Sequence, residues 1–184
     1  SKMKIVVGIS GSSGSVYARV LLQKLKTISD CHVSIVLSKN ALVNWKLENP
    51  NFNIENFGFQ LYSNDDFNAP FASGSTKCDA MIICPCSAGF LARVAHGISS
   101  DLMSRAADVM LKERRKIVFL FRETPFSLIH LENMKMITLA GGIVCPAIPS
   151  FYSNPSSIEE LVATVSDRVL DLVGLNIDTF RWNS

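Results

Sequence analysis

The chain carries little charge for its size. Asp, Glu, Lys and Arg make up 18% of its 184 residues, against roughly 25% in an average soluble domain. That deficit implies buried surface beyond one core, and subunit contacts are its expected use. The net charge is only +2, too small to bring the protein to nucleic acid or an anionic membrane. No apolar run approaches the roughly 18 residues of a membrane span. No signal peptide is expected, because Lys4 is followed by a short apolar run and then glycines. The cysteines are few and odd in number, five in all, and without paired spacing. They point to a reducing compartment, so a cytoplasmic protein is expected. Cys84-Pro85-Cys86 has one intervening residue where a metal or redox pair needs two. Asp65-Asp66 is a lone acidic pair and not a magnesium site. No metal is expected. Ser1-Lys2 before Met3 reads as a cloning remnant.

What the chain does have is alternation. "KIVVGI" (4–9), "HVSIVLS" (32–38), "AMIICP" (80–85), "KIVFLF" (116–121) and "IVCP" (143–146) are short, continuously apolar runs that predict buried strands. Between them lie helical patterns at 15–28, 41–49, 87–97, 100–114, 127–142 and 156–174. The helix at 100–114 has no strand before it, and residues 50–75 read as irregular. Apolar strands alternating with helices imply a mainly parallel sheet covered on both faces. The expected fold is a three-layer α/β/α open sandwich of Rossmann or flavodoxin type. It forms one domain over 4–175, with 176–184 as a tail. Ligands in such folds bind beyond the carboxyl ends of the strands.

The strand ends therefore hold the candidates. The first strand runs into "GISGSSGSVY" (8–17), where Gly11 and Gly14 allow close backbone approach and Ser10, Ser12, Ser13 and Ser15 offer hydroxyls. The following helix N-terminus adds N–H groups suited to phosphate. The spacing is not a dinucleotide fingerprint, and the lysine of a nucleotide P-loop is missing. Ser87-Ala88-Gly89 opens a second helix and a second possible anion cradle. Arg122 and Glu123 leave the fourth strand side by side before Pro125. Arg105, Asp108 and Lys112 form one stripe opposite Met103, Ala106, Ala107 and Met110. Arg168 flanks the Val165–Val169 seam of the last helix. Cys86 as a nucleophile partnered by His96 lacks a third group to orient it. His32 and His130 read as structural. The residues alone thus indicate a phosphorylated ligand at the first loop with an Arg–Glu pair nearby.

Four stretches carry a resemblance: "VGISGSSGSVYARVLLQ", "ICPCSAGFLARVAHG", "SRAADVMLKERRKIVFLFRETP" and "PAIPSFYSNPSSIEELV" with "RVLDLVGL". In this order they resemble the flavin prenyltransferases of the UbiX type, once described as aromatic-acid decarboxylases. The resemblance implies reduced FMN and dimethylallyl phosphate as substrates, joined at flavin N5 and closed at C6. The implied product is the prenylated flavin of a partner decarboxylase. It also implies no metal and a trimer-based homo-oligomer, a dodecamer. By position, Ser10, Gly11, Ser12, Ser38, Ser87, Ala88, Gly89, Phe90 and Arg122 match flavin contacts. Ser13 matches a serine near N5, and Glu123 the acid–base residue. Arg105, Lys112, Tyr152 and Arg168 match residues that hold the dimethylallyl phosphate, some from neighbouring subunits.

Two departures stand out. Ala88-Gly89-Phe90 supplies no side-chain hydroxyl, so contacts there must be backbone. Ser100-Asp101 stands where Asp-Asn is usual. The rival readings are an FMN-dependent peptidyl-cysteine decarboxylase, whose catalytic histidine is missing from "ASGS" (72–75), and a non-catalytic FMN-binding protein, which needs neither Glu123 nor the cations.

Overall fold

Each apolar run becomes a strand of one sheet. The computed structural model describes residues 2–11 and 13–175, so Ser12 and the tail 176–184 lie outside the described residues. The strands are β1 (Met3–Ile9), β2 (Cys31–Leu37), β3 (Gln60–Ser63), β4 (Ala80–Cys86), β5 (Lys116–Phe121) and β6 (Ile143–Pro146). All pairings are parallel, in the order β3-β2-β1-β4-β5-β6. The strand order reverses between β1 and β4. A crevice must open there, because the connections leave toward opposite faces.

The period-2 alternation of a strand sends neighbouring residues to opposite faces. Ile5, Val7, Ile9, Ile82 and Leu120 meet helices α1 (Ser15–Lys26) and α6 (Ile158–Leu172). Val6, Met81, Ile83, Phe119 and Phe121 meet α3 (Ala88–Ala95), α4 (Leu102–Lys112) and Ile137 of α5 (Leu128–Leu139). Helix α2 (Lys39–Glu48) closes the first face through Ala41 and Trp45. Gly8 is bare for packing reasons. A Cβ there would stand 2.9 Å from Ile83 and from Met103, so glycine lets α4 lie close on the sheet.

Residues 50–75 depart from the expectation of irregular chain. They hold β3 and two single turns of 3₁₀ helix, Ile54–Phe57 and Pro70–Ala72. "QLYS" is four residues at the sheet edge and half-exposed. It shows no continuous apolar run because one side of it faces no strand.

Helix α5 is unusual in burying only Asn133 and Ile137. Leu128, Ile129 and Leu139 are each about 70% exposed. Among the described residues, no helix is long and apolar enough to cross a membrane.

Candidate active site

Four strand ends converge on one rim. At the end of β1, Ser10 is buried and its one O–H is committed: it donates to the Pro85 carbonyl (2.8 Å), and the oxygen accepts from the Ser87 N–H (3.0 Å). Ser10 thus ties the first loop to the second, leaving its backbone, not its hydroxyl, for a ligand. Asn44 of α2 donates to the Gly11 carbonyl at 2.7 Å. Arg122, at the end of β5, donates through one guanidinium nitrogen to the Ser13 carbonyl (2.6 Å) and hydroxyl (3.3 Å), and lies 5.8 Å from the Tyr17 ring centroid. Ser13 and Arg122 are therefore brought together. Gly14 follows at φ +97°.

The N-terminus of α1 does not stand open to phosphate. The Glu48 carboxylate fills it, accepting from the N–H of Gly14 (3.0 and 3.1 Å), the N–H of Ser15 (3.0 Å) and the Ser15 hydroxyl (2.8 Å). This corrects the expectation that these donors were free. Burial alone would raise the Glu48 carboxyl. The Gly14 and Ser15 donors and the Arg122 charge outweigh it, and the group sits below its ordinary value of 4.5. Behind it, Asn49 donates to the Ser15 hydroxyl (2.8 Å), and Arg19 donates to Asn49 (2.8 Å) and pairs with Glu159 of α6 (2.7 Å).

Glu48 was not among the candidates, although the sequence held a signal. An acid in the last turn of a helix faces the negative end of the dipole, so it needs a partner elsewhere. Replacing Glu48 by Gln should therefore cost stability. Hydrogen bonds to a charge contribute about 1.5–3 kcal/mol, and solvent exposure here lowers the expected loss to about 1 kcal/mol. Because the folded value is depressed, this contribution is present above pH 4.5 and disappears as pH falls through the folded value. Urea titrations of the two forms should differ at pH 7 and converge as the pH is lowered through the depressed folded value. A constant gap across that range would refute the assignment.

The N-termini of α2 and α3 remain for a ligand. Ser38 caps α2 by accepting from Ala41 (3.0 Å), and Ser87 caps α3 by accepting from Phe90 (3.1 Å). A capping serine accepts with its oxygen and keeps its O–H to donate. The first-turn N–H groups of Lys39 and Asn40, and of Ala88 and Gly89, have no acceptor within their helices. Phe90 offers less: its ring is buried in the core and its N–H is held by Ser87. A cleft of about 520 Å³ opens beside Ser38, between Leu37, Asn40, Tyr62, Asn64 and Asp101. Asp101 caps α4 through Ser104, and Asn64 accepts from the next two N–H groups. The Ser100-Asp101 departure therefore leaves that helix fully capped.

Glu123 is exposed and accepts from the neighbouring Thr124 N–H (2.9 Å). The four residues expected to hold the dimethylallyl phosphate do not come together within one chain. Arg105 donates to the Ala72 carbonyl (3.3 Å) and Lys112 pairs with Glu113 (3.1 Å), both on α4. Arg168 pairs with Asp171 (2.8 Å) on α6, across the sheet. Tyr152 is exposed in the segment before α6. Cys86 is completely buried, its thiol pushed up by burial, and His96 instead contacts Asn133 at 3.1 Å. That removes Cys86 as a nucleophile.

The comparisons agree with this architecture. The flavoprotein family model matches residues 1–170. The flavin prenyltransferase UbiX of Methanocaldococcus jannaschii is 41% identical over 183 residues, covering 99% of this chain and 100% of its own. The crystal structure of AnUbiX with FMN and dimethylallyl pyrophosphate is 39% identical, with a TM-score of 0.91, covering 100% of this chain and 99% of that one. A dodecameric FMN-dependent UbiX-like decarboxylase from Escherichia coli O157:H7 is 37% identical, with a TM-score of 0.93, over 99% and 100% of the two chains. The chain belongs to the flavoprotein family and, within it, to the UbiX-type flavin prenyltransferases.

Proposed function

We propose that this protein joins a dimethylallyl group from dimethylallyl phosphate to N5 and C6 of reduced FMN. The observation that carries the reading is the rim of strand ends around the β1/β4 reversal, where Arg122 bonds Ser13 and the helix N-termini capped by Ser38 and Ser87 lie on the neighbouring strand ends. Its donor set fits FMN: outward O–H and N–H groups suit a phosphate, and a guanidinium beside Ser13 suits the polar edge of a flavin. Reduced FMN supplies the nucleophilic nitrogen and carbon. The allylic C–O bond breaks with its electron pair leaving on phosphate, and N5 gives up its proton as the N–C bond forms. The prenyl C=C bond then takes up a proton, its electron-poor carbon bonds to C6, and C6 loses its own proton. Arg105, Lys112, Arg168 and the Tyr152 hydroxyl receive the departing phosphate. One unit pair at 4 Å is worth on the order of 4 kcal/mol at an effective dielectric of 20, so several cations suit a group near −2. No metal is needed, since protein cations hold the leaving phosphate. Glu123 moves the protons.

Because α4 and α6 lie on opposite faces of the sheet, this set closes only between copies of the chain. The exposed Leu128, Ile129 and Leu139 of α5 support a homo-oligomer built from trimers, and the E. coli relative is dodecameric. The product serves a partner decarboxylase in the cytoplasm. With reduced FMN and dimethylallyl phosphate, the purified protein should yield a prenylated flavin by mass spectrometry, and Glu123→Gln should bind FMN normally but turn over about 100-fold more slowly. Recovery of unmodified FMN alone from the unaltered chain would remove the assignment.

A further inference from the structure

One cation at the rim has no part in that account. Arg93 sits in the last turn of α3, where a basic residue is ordinarily a partner for the helix dipole. Its side chain runs the other way, back toward the start of the helix, as helical side chains tilt. Three neighbours fix where the guanidinium ends. A terminal nitrogen comes within 3.8 Å of the point a Cβ on Gly89 would occupy. The group lies 5.5 Å from the Phe90 ring centroid. Burial raises the Cys86 thiol at the end of β4, and the Arg93 charge opposes that rise.

This guanidinium is poorly matched within the chain. The side chain is 40% exposed, while its Nε is buried without a hydrogen-bond partner among the described residues. Its ion pair with Asp101 is loose, at 3.9 Å, because the other Asp101 oxygen is engaged by Ser104 at 2.6 and 2.8 Å. Beside it stand the first-turn N–H groups of Ala88 and Gly89, with the Ser87 hydroxyl at the cap. Residues 88–90 contribute no side-chain charge or hydroxyl of their own. A phosphate monoester carries about −1.5 to −2 at neutral pH and three acceptor oxygens. Backbone dipoles alone leave most of that charge unmatched. Gly89, having no side chain, leaves the space between the helix N-terminus and the guanidinium open.

We propose that Arg93 is the phosphate-specificity residue of the flavin site: its guanidinium and the Ala88 and Gly89 N–H groups together take the 5′-phosphate of FMN. This rests on the flavin reading above. Arg93 acts on the half of the ligand remote from the chemistry, so it selects FMN over riboflavin and does not enter prenyl transfer itself.

The test is a pair of titrations by flavin fluorescence, FMN and riboflavin, on the full chain and on Arg93→Gln. The unaltered protein should prefer FMN strongly. Arg93→Gln should weaken FMN binding roughly tenfold to hundredfold while leaving riboflavin within about twofold, and Arg93→Lys should recover part of the loss. Equal losses for both flavins would make Arg93 a structural residue and overturn the proposal. Unchanged FMN affinity would overturn it as well. An unaltered protein that binds neither flavin would instead remove the flavin reading on which it stands.

Discussion

Gly14→Val should weaken FMN binding at least tenfold and destabilise the fold by about 2–4 kcal/mol. Two costs combine. At φ +97° an L-residue loses about 1–2 kcal/mol, and a β-branched one does worse. A Cβ would also stand 2.7 Å from the Arg122 guanidinium. That side chain is long enough to move, yet moving gives up its bonds to the Ser13 carbonyl and hydroxyl. The same shift disturbs the N–H groups that hold Glu48. Gly14→Ala keeps the backbone strain with less bulk and should fall between. Urea denaturation and an FMN titration on the three proteins check this. Native FMN affinity in the valine form would mean that the first loop does not shape the flavin site.

Trp45→Ala should cost about 3–5 kcal/mol, the range for removing a large buried aromatic. Trp45 is 1% exposed. It packs edge-on against Phe57 at 6.2 Å, and its indole N–H donates to the Phe52 carbonyl at 2.7 Å. The functional consequence follows from its helix. Trp45 and Ala41 are the buried residues of α2, and α2 brings Ser38, Asn44 and Glu48 to the rim. Without the indole anchor these three contacts loosen together, so FMN affinity should fall even at temperatures where the variant is folded. Trp45→Phe retains most of the apolar volume and should lose about half as much. A loss below about 1 kcal/mol in Trp45→Ala would show that α2 is held by its polar contacts and not by its ring.

Several elements were readable in the chain alone. The runs at 4–9, 80–85 and 116–121 carry their own signal, since a strand buried on both faces must be apolar throughout. Helices α1, α4 and α6 show their buried stripe as period. β3 was not readable, because an edge strand half open to solvent needs no apolar run. The site divides the same way. Ser13, Ser38, Ser87 and Arg122 all lie at strand ends, and the parallel fold alone makes strand ends candidates. Glu48 and Arg93 stand inside helices, and their roles depend on where a long side chain arrives in space.

Local periodicity and turn chemistry thus determined the elements, their parallel arrangement and the loops that face a ligand, because these depend on residues a few positions apart. Only the tertiary structure decided that Glu48 occupies the start of α1, that Ser10 is spent on tying two loops together, and that the α4 cations stand across the sheet from Arg168. Those outcomes depend on which side chains meet across tens of residues, and no spacing along the chain encodes such a meeting.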